Sequence, residues 1–123
     1  MIDFSLDALI RFDDARPVIV PVADSGHARI LLICLKAGQA VKDHRSTSQV
    51  FVQGLSGRAR FFADGVPHAI GPGGCVVIEP NHFHRVEADE DAVLLVVMSP
   101  HPGREGYPRD QLDRIIFRGG QPA

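Results

Sequence analysis

The chain has 123 residues, a formal net charge of −2 at pH 7 and a pI near 6.3. That length suits one domain with a single core, and the lack of a basic excess argues against nucleic acid or an anionic membrane as a partner. Residues 1–7 carry acidic side chains where a secretory signal has basic ones, and no long apolar segment follows, so we expect a cytoplasmic protein.

Residues 5–12 form the first element that the sequence predicts. Their apolar side chains recur at helical spacing, which indicates a short N-terminal helix with Ser5 or Asp3 as its cap. Pro17 and Pro21 then bracket the tripeptide Val-Ile-Val, and this flanking favours a strand at the edge of a sheet.

The central part of the chain is a series of short strand patterns separated by turn residues. The dipeptide Asp64-Gly65 favours a two-residue hairpin, and Asn81 after Pro80 tolerates a positive φ in a turn. The predicted strands cover residues 29–35, 48–55, 58–63, 66–70, 75–78 and 93–98. Short strands with such turns predict an all-β antiparallel sandwich or barrel with its core over about residues 18–98.

The last part of the chain, residues 99–123, differs in composition. Prolines and glycines make it an irregular C-terminal arm, yet residues 107–117 include several large apolar side chains. Exposed apolar surface of this kind marks a contact site. We expect the arm to pack on the barrel or on a partner subunit, and together with the apolar strand at 93–98 it predicts a homodimer.

Cys34 and Cys75 both lie in apolar stretches. Buried free thiols behave as small hydrophobic side chains, and nothing in the sequence points to the oxidising compartment that favours disulfides. We expect both thiols to be buried and free.

Two spaced patterns of glycine and histidine flank the central hairpin. The first has Gly38, five residues and then His44, and it closes at Gly57. The second has Gly73, five residues and then Glu-Pro-Asn-His-Phe-His, which ends at His84. In this order and with this short gap they resemble the two motifs of the cupin superfamily, in particular its small single-domain members. The resemblance implies one all-β domain over residues 1–123, an antiparallel cupin barrel of the jelly-roll type.

The departures from the family pattern concern the metal ligands. In the family, the first motif supplies two histidines and a glutamate, and the second supplies one histidine. His44 matches the first of these positions and His84 the last, but Ser46 stands at the second histidine position and Val50 at the glutamate position. The first motif is therefore degenerate, as in small cupins that keep only its leading histidine.

The pocket residues follow from the alternation of side chains along a strand. If one strand continues through the first motif, His44, Ser46, Val50 and Val52 share a face by the period of two. With His44 pointing into the barrel, Ser46, Val50 and Val52 line the pocket beside His84.

A metal at this pocket is one of two open interpretations. Imidazole is the commonest protein ligand of transition metals, but a catalytic ion normally has about three protein ligands and an open position. His44 and His84 supply two, and the further candidates are His82, if its segment is extended, Glu79 and Asp43. The site therefore holds one divalent ion, such as Zn, Fe, Ni or Mn, or the two histidines bond to each other, to Ser46 or to water.

Three functions are consistent with these residues. The first is a small-molecule-binding cupin barrel with a degenerate or weak metal site and an unassigned ligand. The second is a metal-dependent oxygenase or isomerase in which His44 and His84 hold the ion. The third is a structural module that associates with another protein. The missing ligands favour the first over the second, and a fold alone does not decide the chemistry.

Overall fold

The computed structural model describes residues 1–103. Within them, a 3-10 helix (Leu6–Leu9) precedes nine strands. The strands are β1 (Val18–Asp24), β2 (Arg29–Leu35), β3 (Ala40–His44), β4 (Gln49–Ser56), β5 (Ala59–Ala63), β6 (Val66–Ile70), β7 (Cys75–Ile78), β8 (His84–Ala88) and β9 (Ala92–Ser99). The all-β prediction is confirmed. Most of the predicted C-terminal arm lies outside the described residues.

The strands form two sheets that face each other. One has five strands in the order β1-β2-β9-β4-β7, and the other has four in the order β3-β8-β5-β6. Each pairing is antiparallel. Two such sheets packed face to face are the architecture of a jelly-roll barrel, as the sequence predicted.

The five-stranded sheet is apolar on both of its faces. Leu31 on β2 belongs to the main core between the sheets, whereas its neighbour Leu32 belongs to a second cluster on the outer face. Successive side chains of a strand point to opposite faces, so β2 needs an unbroken apolar sequence to serve both clusters. Leu9 of the 3-10 helix packs in the outer cluster and covers this part of the sheet.

The N-terminal helix is shorter and tighter than the sequence predicts. The Ser5 Oγ accepts a hydrogen bond from the backbone N–H of Asp7 at 3.3 Å, so Ser5 is the cap, and Ile10 is already extended. The helix therefore spans one turn instead of residues 5–12. No helix among the described residues is long and apolar enough to cross a membrane.

Strand β1 continues past the proline at which we expected it to end. It is an edge strand, as predicted, but it runs to Asp24, with a register shift between Pro21 and Ala23. An edge strand has unpaired N–H positions, so a proline there costs no sheet hydrogen bond, and the bulge absorbs the local misfit.

The condition under which His44 and Ser46 share a strand face is not met, because no single strand runs through the first motif. Strand β3 ends at His44 in the four-stranded sheet, and β4 begins at Gln49 in the five-stranded sheet. Between them, the Ser46 Oγ accepts a hydrogen bond from the N–H of Ser48 at 3.0 Å. Such local side-chain bonds compete with strand pairing, which explains why the chain turns at this serine-rich segment.

The two predicted turns have the expected backbone. Asp64 and Gly65 have φ values of 55° and 76°, as a type I′ hairpin requires, and Asn81 has a φ of 64°.

One prediction about the thiols is wrong, because Cys75 is exposed while Cys34 is buried; both are free. Cys75 lies on β7, an edge strand, and faces away from the core.

Candidate functional site

His44 and His84 lie side by side inside the barrel. They are directly paired residues of the adjacent antiparallel strands β3 and β8. Their ring centroids are 4.3 Å apart, and the rings meet edge to face at 61°. The pairing of β3 with β8 thus brings the leading histidine of the first motif into contact with the last histidine of the second.

A small cavity opens in front of this pair. It has a volume of about 30 Å³, which is room for one or two water molecules. Both sheets contribute to its wall, and the two imidazoles are the only polar side chains in the lining among the described residues. The lining consists of Ile19, Leu31, Ile33, Val41, His44, Val50, Val52, Phe61, His84, Val86, Val96 and Met98.

His84 is a buried neutral imidazole. Its exposed fraction is 5%. Burial, and secondarily the neighbouring His44, lowers its pKa from 6.5 to about 4, so the ring carries no charge near pH 7. Its Nδ1 lies 2.9 Å from the carbonyl oxygen of His82, which can only accept a hydrogen bond. Nδ1 therefore carries the proton, and Nε2 is the nitrogen with the lone pair.

His44 is oriented in the same way. Its Nδ1 lies 2.7 Å from the carbonyl oxygen of Lys42, again two residues earlier in the chain. In the neutral ring, Nε2 is then the acceptor nitrogen. An N–H held by a backbone carbonyl is also the usual way in which proteins orient a histidine that binds a metal through its other nitrogen.

The donor set around the pair falls short of a common catalytic metal site. Residues 1–103 contain no group of three or more His, Cys, Asp or Glu side chains that could hold one ion. His82 is exposed, and its Nε2 lies 3.0 and 2.9 Å from the two carboxylate oxygens of Asp64. With two imidazoles where about three protein ligands are usual, we assign no reaction step to a metal. Its presence and a role for His82 stay predictions.

The three predicted pocket residues have different positions. Val50 and Val52 of β4 line the cavity. Ser46 is buried but is not part of the lining, because its hydroxyl is bonded to the N–H of Ser48 in the loop. Its carbonyl oxygen accepts a hydrogen bond of 2.7 Å from the N–H of Asn81. Ser46 therefore joins the loop after β3 to the turn before β8.

A model of the cupin domain matches residues 31–98, more than half of the chain. The chain belongs to the cupin family. The resemblance seen in the two motifs is thereby confirmed. No curated protein matches the chain.

Several solved structures share this cupin's fold. An RmlC-like cupin protein from Desulfovibrio desulfuricans is 29% identical, with a TM-score of 0.76, over 81% of this chain and 97% of that one. The protein TT1209 from Thermus thermophilus is 27% identical, with a TM-score of 0.78, over 83% and 100%. KdgF from Halomonas sp. is 20% identical, with a TM-score of 0.64, over 72% and 85%, a likeness of fold alone.

Sequence reasoning missed part of this cupin's site. Phe61 of β5 and Val86 of β8 line the cavity from the four-stranded sheet, and neither was among the expected pocket residues. The alternation Arg58, Ala59, Arg60, Phe61 contained the signal for Phe61, since it places the aromatic ring opposite the two arginines. The partnership of His82 with Asp64 had no signal in the sequence.

Proposed function

We propose that this cupin binds a small molecule in its barrel, at the pair formed by His44 and His84. The observation that carries the proposal is the cavity wall, which is apolar except for these two imidazoles. Small-ligand sites have this character, with a few convergent polar groups in a mostly apolar concavity.

The size and polarity of the cavity limit which groups of a ligand can reach the pair of His44 and His84. A space of about 30 Å³ accepts one polar group and not a whole metabolite, because sites for drug-sized ligands span about 300 Å³ or more. His84 offers Nε2 as an acceptor, so a ligand hydroxyl or amine is the complementary group. The ligand therefore inserts one hydrogen-bonding end, and its remaining part lies outside the cavity.

A ligand screen by thermal shift tests this proposal. A compound that binds only the folded state raises the melting temperature by mass action. We expect hits that His44→Ala weakens about fivefold, since each lost hydrogen bond is worth about 1 kcal/mol. His27→Ala, a change at an exposed histidine in the turn between β1 and β2, is the matched control. Hits that are equally affected by both changes would contradict the proposal.

A second candidate function is a metal-dependent oxygenase or isomerase. It is favoured by one observation, namely that in both imidazoles Nδ1 lies within hydrogen-bonding distance of a backbone carbonyl oxygen, the arrangement by which proteins orient a histidine that binds a metal. His44 and His84 would hold a divalent ion such as Zn, Fe, Ni or Mn, which would supply Lewis-acid or redox chemistry when bound. Elemental analysis of protein made without added metal separates the candidates. Stoichiometric metal that is lost in His44→Ala would favour the enzyme.

We also propose that the protein forms a homodimer and acts in the cytoplasm. The outer face of the five-stranded sheet supports the dimer, because Phe51, Leu95 and Val97 on this face are only half-buried and Val77 at its edge is 57% exposed. Sedimentation velocity at micromolar concentration tests it, and a monomer there would rule the dimer out.

A further inference from the structure

A second concave surface lies where the edges of the two sheets face each other. β6 is the last strand of the four-stranded sheet and β7 the last strand of the five-stranded sheet. Between them is a groove of about 210 Å³, several times larger than the cavity inside the barrel. Its walls are residues 61–63 of β5, residues 76–78 of β7, His68 and His84. We call this surface the edge groove.

The edge groove and the inner cavity meet at two side chains. Phe61 and His84 line both spaces, and each has an exposed fraction of 5%. A molecule in the edge groove therefore contacts the same imidazole that the cavity presents from the other side. The larger space gives room for the part of a ligand that the small cavity excludes.

The chemistry of the edge groove is mostly apolar. Among the described residues, no carboxylate, ammonium, guanidinium or hydroxyl group lies in its wall, and the only polar side chains there are the imidazoles of His68 and His84. His68 is directly opposite Phe61 in the pairing of β5 with β6, so the two side chains are on the same face of the sheet. An uncharged ligand with an apolar body fits such a wall better than a charged one.

The hydrogen bonding of His84 limits which polar group a ligand can present to this ring. Its Nδ1–H is already committed to the carbonyl oxygen of His82 at 2.9 Å, and Nε2 can only accept in the neutral ring. The polar end of the ligand must therefore donate. A ligand with an aromatic ring gains a favourable contact with the Phe61 ring beyond simple burial.

We propose that the edge groove binds a phenol-like molecule, with its aromatic ring between β5 and β7 and its hydroxyl donating to His84. This inference rests on the proposed function, because it assigns a ligand class and an entry route to the same histidine pair. It also gives His68 the role of a side chain that shapes the outer end of the groove.

Titration of the full-length protein with 4-methylphenol, followed by NMR, tests the inference. For so small a ligand we expect a dissociation constant on the order of 1 mM, with shifts centred on residues 61–63 and 76–78. The methyl ether of the same compound lacks the donor and should bind up to about tenfold more weakly. His84→Leu should abolish this preference for the phenol over its ether.

Substitutions at the two ends distinguish the edge groove from the inner cavity. His68→Phe fills the groove from an exposed strand position opposite Phe61, and it should weaken 4-methylphenol binding at least about tenfold. His27→Phe, at an exposed histidine elsewhere, is the matched control and should have no effect. His44→Ala, checked for folding by circular dichroism, should weaken binding by less than His68→Phe, because His44 is not part of the groove's wall.

Three results would overturn the inference. One is the absence of saturable binding at tens of millimolar phenol. Another is equal binding of phenol and ether, which would remove the hydroxyl contact. The third is loss of binding in His44→Ala with no effect of His68→Phe, because the ligand would then sit in the inner cavity. That last result would leave the proposed function intact.

Discussion

Because the ring of His84 is buried, we expect the protein's free energy of unfolding to depend on pH under acidic conditions. The folded pKa is about 4, whereas the free side chain titrates near 6.5. Between these values the unfolded chain binds a proton that the folded protein does not. Unfolding is then favoured as the pH falls, so stability is unaffected by His84 above about pH 6.5 and declines progressively below it.

The magnitude follows from the difference between the two pKa values. A difference of about 2.5 corresponds to about 3 kcal/mol, fully lost only below about pH 4. Of this, about 2 to 3 kcal/mol is already lost at about pH 4.5. This is a large fraction of the roughly 5 to 15 kcal/mol that stabilises a typical domain, so it lies well outside experimental error.

Urea unfolding followed by circular dichroism, from about pH 7 to about pH 4.5 with a chelator present, measures the effect. His84→Gln should lose about 2 to 3 kcal/mol less than the wild type over this range, because the titrating group is gone while all carboxylates are common to both proteins. His68→Gln, at an exposed histidine, should keep the wild-type dependence. If His84→Gln and the wild type lost stability in parallel, the assignment of a buried neutral imidazole would be refuted.

Three further predictions concern other parts of the molecule. Gly57→Ala should destabilise by more than about 2 kcal/mol in chemical unfolding, because φ is 71° and the new Cβ would lie 1.9 Å from a backbone oxygen of the β8–β9 turn. Gly38→Ala, with φ at 87° but open space around it, should cost only about 1 kcal/mol, and equal losses would contradict this reasoning. Ellman's reagent should label the exposed Cys75 in the folded protein. It should label Cys34 only after unfolding, because this thiol is buried and its pKa is raised mainly by that burial. Rapid labelling of both thiols in the folded protein would be inconsistent with the burial of Cys34. His82→Gln should lower the free energy of unfolding by less than about 1 kcal/mol, because the pair of His82 with Asp64 is exposed to solvent and therefore weak. A loss above about 2 kcal/mol in chemical unfolding would contradict this.

Local sequence patterns predicted those strands that form an apolar or alternating run between turn residues. The bounds of β2, β6 and β7 agree with the sequence, because each is an apolar or alternating run between turn residues. The positive φ values at Asp64 and Asn81 were also predictable, because they depend on residue type and immediate neighbours. The strands that carry the two histidines, β3 and β8, were not among the strands predicted from the sequence.

The candidate site was predictable only in part. The motif spacing singled out His44 and His84, and the strand alternation singled out Val50 and Val52. The same alternation placed Ser46 in the cavity, and it failed there because the hydroxyl bonds to the backbone of its own loop. The alternation around Phe61 indicates the face of its strand on which the ring lies, but no local pattern specifies the pairing of β5 with β8 that brings it to the cavity.

The sequence by itself determined most of the strands, the tight turns and the family, because these depend on residue type and spacing along the chain. The tertiary structure decided the properties of the site. It set the neutral state and the acceptor nitrogen of His84, directed the His82 ring to Asp64, limited the inner cavity to about 30 Å³ and opened the edge groove beside it. The neutral state, the cavity and the groove depend on which strands of the two sheets face each other, and the contact of His82 with Asp64 depends on the pairing of β5 with β8, so residues far apart in the chain set them.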